Sequence, residues 1–133
     1  MIRAGAVEGI AHLHGDEALD LLMKYASPGQ YERTRMLAIR HIGLYGKGHK
    51  KALDFLIEAA KDEYALIQLA AVSALGLLQD ERAIPVLEAL IKEGHDSRVQ
   101  RSAEDVIKSI YPWLDTDMET YRKGKAAEKK TEE

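Results

Sequence analysis

The chain has 133 residues, 46% hydrophobic and 31% charged, with a net charge of −3, which fits one soluble folded domain. The acidic balance argues against a nucleic-acid binder, which would carry a strongly basic stripe. The lack of cysteine excludes disulfides, thiolate metal sites and a cysteine nucleophile.

Taken from the start, Met1 to Ala4 opens no signal peptide, and no later apolar run approaches the ~20 residues of a membrane span. A cytoplasmic location is expected, with neither membrane nor nucleic acid as partner. The segment IRAGAVEGIAHL, from Ile2, has the apolar spacing of an amphipathic helix. It begins directly on that periodicity, so either preceding protein covers its outer surface or this helix is itself the cap. Gly15-Asp16 supplies helix-start chemistry, an aspartate able to accept from free N–H groups. The segment ALDLLMKY, from Ala18, is a second helix, and Ser27-Pro28-Gly29 ends it.

The pattern then recurs. TRMLAIRHIGLY starts at Thr34 and ALDFLIEA at Ala52. IQLAAVSALGLL starts at Ile67 and AIPVLEAL at Ala83, and VQRSAEDVIKSI starts at Val99. One column of the first helices reads Ala6, Ala38, Ala71 and Ala103, at intervals of 32, 33 and 32 residues. Another reads Ile10, Ile42, Leu75 and Ile107, and a third Ile2, Thr34, Ile67 and Val99. In the second helices Leu22, Leu56 and Leu87 share a column. A methyl side chain at the alanine column lets helix backbones approach closely. The turn Gly46-Lys47-Gly48-His49-Lys50 is two residues longer than its counterparts, and Gln79-Asp80 supplies another cap. Pro85 sits where a missing N–H costs least, so its helix is expected to start near Arg82. Lys61-Asp62 and Gly94-His95-Asp96-Ser97 separate the later pairs.

Helix pairs repeating about every 33 residues predict an all-α, αα-superhelix solenoid of three and a half to four hairpins. Trp113 to Arg122 is expected to close the stack with Trp113, Leu114, Met118 and Tyr121 turned inward. The repeat domain is therefore expected over residues 1–122, followed by a charged, disordered tail over 123–133.

Residues 2 to 111 resemble HEAT repeats of the short kind, whose first helix reads Asp-x-x-Val-Arg-x-x-Ala-x-x-Ala-Leu-Gly. Leu75-Gly76 with Asp80, and Asp96 with Val99, fit that pattern. Arg3 and Arg35 take its arginine column, from which Gln68 and Gln100 depart. The resemblance implies a scaffold and says little about function. More narrowly, the run from Asp80 to Ile107 is similar to the C-terminal helical domain of prokaryotic zinc aminopeptidases of the alanyl (gluzincin) family. Asp96, Arg98, Val99, Arg101, Ala103 and Glu104 carry that likeness. It implies a non-catalytic accessory domain packed against a separate peptidase domain, since the His-Glu-x-x-His signature is missing from this chain.

No catalytic constellation emerges. His12, His14, His41, His49 and His95 lack metal-site spacing and are expected at solvent or in turns. Ser27, Ser73, Ser97, Ser102 and Ser109 stand in no nucleophile elbow, and Ser97 beside Asp96 reads as a helix start. The basic loop from Gly46 to Lys51 lacks Walker spacing. With Arg33, Arg35 and Arg40 it supports at most a small basic patch for a phosphate or an acidic partner. No enzyme activity, cofactor or metal is expected. The expected partner is another protein or an adjacent domain of the same polypeptide. Asp20, Lys24, Asp54, Glu58, Glu88 and Lys92, beside the leucine column of the second helices, are the candidate contacts.

Overall fold

The computed structural model describes residues 16–94 and 96–111. Within them lie six α-helices: α1 (Asp16–Ala26), α2 (Glu32–Tyr45), α3 (Lys50–Ala59), α4 (Ala65–Leu78), α5 (Ile84–Glu93) and α6 (Ser97–Ile110). They pack as consecutive pairs, as expected of an αα-repeat. The expected first helix from Ile2, the closing helix from Trp113 and the charged tail all lie outside the described residues.

The predicted columns form the core. Ala38, Ala71 and Ala103 are fully buried, as are Ile42, Leu75 and Ile107. Leu22, Leu56 and Leu87 are at most 1% exposed. In α6 the buried set is Val99, Ala103, Val106 and Ile107, one face of a helix at i, i+4, i+7 and i+8. Ahead of α5, one 3₁₀ turn (Glu81–Ala83) precedes Ile84–Glu93, with Pro85 in the first helical turn. That is close to the start expected near Arg82.

Two layers result. The first helices of successive copies stack side by side, α2 on α4 and α4 on α6. Their closest approach needs glycine. An added Cβ at Gly43 would stand 2.8 Å from Ala74 Cβ and 2.9 Å from Ala74 Cα, and one at Gly76 would stand 3.0 Å from Val106 Cγ2. Gly43 and Gly76 are 33 residues apart, so the same diagonal contact recurs from copy to copy.

The second helices are joined to this layer in a register the sequence did not reveal. The sequence pairs each first helix with the second helix that follows it. Instead, each second helix packs most extensively on the first helix of the next copy: α1 on α2, α3 on α4, α5 on α6. Side chains of the arginine column tie these junctions. Arg35 Nε donates to Ala26 O (3.0 Å), Gln68 Nε2 to Asp62 O (2.7 Å) and Gln100 Nε2 to Gly94 O (2.7 Å). Each donor meets a carbonyl at or just beyond the C-terminal end of the preceding helix, where helix carbonyls lack intrahelical partners. The two glutamines that depart from the family pattern therefore do the arginine's work.

Candidate functional site

The residues carrying the family resemblance turn out to hold the repeat together. Asp96 caps α6, its carboxylate accepting from the N–H groups of Arg98 (2.8 Å) and Val99 (3.4 Å). The Arg98 guanidinium folds back on the same carboxylate. Those hydrogen bonds, the guanidinium's above all, hold the Asp96 carboxyl down at about 2. Asp80 and Arg82 repeat the arrangement one copy earlier, and Asp80 too is held below the usual carboxylate range, first by the Arg82 guanidinium.

Arg35 is a correction. The sequence placed it with Arg33 and Arg40 in a basic patch, but it is 3% exposed and joined to the Asp62 carboxylate by two hydrogen bonds. Burial pushes the Asp62 carboxyl up. The Arg35 guanidinium and the Tyr64 N–H outweigh it, and the net direction is downward. Arg35 belongs to the core, whereas Arg33 and Arg40 are exposed.

The basic loop also proves structural. An added Cβ at Gly46 would stand 2.5 Å from Ile42 O and 2.6 Å from Ala52 Cβ, so this glycine lets α3 begin tight against the end of α2. Lys50 pairs with Asp54 (2.9 Å) and Lys51 with Asp20 (3.0 Å). Of the histidines, His49 occupies the exposed turn as expected. His41 does not fit that expectation: it is half-buried, stacked on Tyr45 with ring centroids 6.0 Å apart. His12, His14 and His95 lie outside the described residues. Ser27 and Ser109 donate to helix carbonyls (Met23 O and Val106 O, each 2.7 Å). No group of three metal-capable side chains occurs among the described residues.

Of the six candidate contacts, Asp20, Lys24, Asp54, Glu58 and Lys92 are exposed and Glu88 is half-buried. The structure does not gather them at one point. Asp20 is bridged to α3 through Lys51, while Asp54 and Glu58 pair locally with Lys50 and Lys61. Aligning Ala18, Ala52 and Ala83 puts Asp20, Asp54 and Pro85 in one column and Lys24, Glu58 and Ala89 in another. Pro85 and Ala89 thus hold in the third copy the places that Glu88 and Lys92 were expected to hold.

Pro85 and Ala89 line a groove of 640 Å³ between α3 and α5, with Ile57, Lys61, Arg82 and Glu93 around it. It opens because the second helices lie farther apart than the closely stacked first helices. None of the six candidates lines it. The α3/α5 gap was hidden from sequence because it depends on the spacing between copies. Pro85 could have hinted at it, since a proline on an exposed helical face interrupts the charged row.

No helix among the described residues is long and apolar enough to cross a membrane. No curated protein matches the chain. The sequence profile of HEAT repeats matches residues 27–108, from just after α1 to near the end of α6. This chain belongs to the HEAT-repeat family.

Proposed function

We propose that the chain is a non-catalytic interaction module that holds another protein, or an adjacent domain of a longer polypeptide, against its second helices. The observation that carries this reading is the α3/α5 groove: apolar at Ile57, Pro85 and Ala89, rimmed by charges of both signs, and flanked by the exposed row Asp20, Lys24, Asp54 and Glu58. A mixed apolar and charged surface of this kind suits a protein partner.

Site-specific photo-crosslinking in the source cell tests this. A photoreactive side chain at Glu58 or Ala89 is expected to give one discrete adduct, with a control at exposed Glu81 giving none. Equal, diffuse adducts from all three positions would refute the assignment. Turnover of an aminoacyl-nitroanilide by the purified chain with zinc would overturn the non-catalytic reading.

The aminopeptidase accessory role is a finer version of this proposal. Its support is the run from Asp96 to Glu104, and the repeat itself accounts for most of that run. Asp96 caps, Arg98 clasps Asp96, and Val99 and Ala103 are core. The proposal is therefore held at the level of a protein or domain partner.

A further inference from the structure

The opposite layer carries a second surface of different chemistry. Helix α4, ALIQLAAVSALGLL, contains no charged residue. A helix that is apolar all round ordinarily lies buried on every side. Here one face packs in the core and the outer face does not: Leu66 is 39% exposed and Leu77 46%. Next to it, α2 turns Met36 and Leu37 partly outward, and Leu44 is also exposed.

Between α2 and α4 lies a groove of 430 Å³. Arg33, Met36, Leu37 and Arg40 line one wall and Ala70 and Leu77 belong to the other. Both walls are rows at i, i+3, i+4 and i+7 of a helix, and no carboxylate is among the lining residues. Arg33 and Arg40 stand two turns apart, about 10 Å along the axis. Neither has an ion pair among the described residues. On the second-helix face the lysines beside the groove and the row, Lys50, Lys51 and Lys61, are paired with carboxylates of this chain. The α2/α4 groove thus presents an apolar floor and two unneutralised guanidinium groups at a helical spacing.

We propose that this groove receives an amphipathic helix of a partner protein, its apolar side on Met36, Leu37 and Leu77 and its carboxylates beside Arg33 and Arg40. The recognition is helix-in-groove, anchored by side chains at i, i+3, i+4 and i+7. Arginine favours such a site because its planar fork binds carboxylates in two-point fashion. The surface is distinct from the second-helix face of the proposed function, so either assignment can fail alone.

The test is fluorescence anisotropy with a labelled, helix-stapled peptide of about four turns. It carries leucines at i, i+3, i+4 and i+7 and two glutamates seven residues apart on one flank; a second peptide has lysines in place of those glutamates. The parent chain should bind the glutamate peptide saturably and prefer it to the lysine peptide. Leu77→Glu and the double variant Arg33→Glu/Arg40→Glu, all at exposed positions, should each weaken binding roughly tenfold or more while thermal unfolding stays unchanged. The double variant should now prefer the lysine peptide. Equal binding of both peptides, or binding indifferent to these substitutions, overturns the proposal. So does binding that appears only after removal of residues 112–133, which would make this chain's own terminus the occupant. Concentration-dependent dimerisation abolished by Leu77→Glu would instead assign the groove to a second copy and likewise overturn it.

Discussion

Replacing Gly43 by alanine sets two effects of known size against each other. In a helix interior, glycine to alanine normally stabilises by about 1 kcal/mol. At Gly43, however, the new methyl would sit 2.8 Å from Ala74 Cβ, 2.9 Å from Ala74 Cα and 3.2 Å from Ala74 O. None of these atoms can rotate away, so α2 and α4 must separate. Overpacking of this kind costs ~1–3 kcal/mol, and with backbone atoms as the obstacle the upper end applies. The net expectation is a loss of ~2 kcal/mol, or a fall in Tm of ~8 °C for a domain of this size. Gly76→Ala is the internal control. Its methyl meets Val106 Cγ2 at 3.0 Å, the end of a rotatable side chain that is 8% exposed. There the propensity gain should about balance the strain, leaving Tm within a few degrees of the parent. Thermal and urea unfolding followed by far-ultraviolet circular dichroism read both. A Gly43→Ala variant as stable as the parent, or a larger loss at Gly76 than at Gly43, would refute the close stacking of first helices.

Other expectations follow from the ion pairs and caps. Arg35→Met removes the guanidinium from the Asp62 carboxylate, which keeps the Tyr64 N–H, and from the Ala26 carbonyl, and should cost ~3 kcal/mol. Asp62→Asn in the same background should cost less than it does alone, which a double-mutant cycle measures; strict additivity would mean the pair is not coupled. The Asp96 carboxyl is lower in the folded chain, at about 2, than the ordinary unfolded value of ~3.9. Its stabilising effect is therefore complete above that unfolded value and lost as pH falls toward 2. The Tm gap between the parent and Asp96→Ala should accordingly narrow between pH 5 and pH 2, by the logic of proton linkage. A constant gap across that range would show that the ionised cap contributes nothing.

Much of this architecture could be read from residues alone, because helical periodicity and the copy-to-copy interval are local properties. The alanine column and the leucine column needed only a repeat of about 33 residues, and both are buried as expected. Arg35 was misread because its partner Asp62 is 27 residues away and belongs to the next inter-copy loop. Arg35 stands in the arginine column and Arg33 and Arg40 do not, but a column position alone does not show that its guanidinium is buried against a carboxylate. Gln68 and Gln100 looked like lapses in the arginine column for a similar reason. Their shared function, donating to a carbonyl at the end of the preceding helix, shows only in three dimensions. The candidate surfaces were least legible. Second-helix residues were chosen for their place beside the leucine column, yet the groove falls where spacing between copies opens it. The uncharged, largely apolar character of α4 was visible in the sequence, but its use as core on one side and surface on the other was not.

The most direct test of the account is a nuclear Overhauser measurement on the isotopically labelled, unmodified chain. Contacts between the Gly43 α-protons and the Ala74 methyl, and between the Gly76 α-protons and a Val106 methyl, are the expected result, since a Cβ added at either glycine would stand within 3.0 Å of the partner's methyl carbon. Their absence, with α2 showing its main contacts to α3 instead, would contradict the stacked first-helix layer on which both proposed surfaces depend.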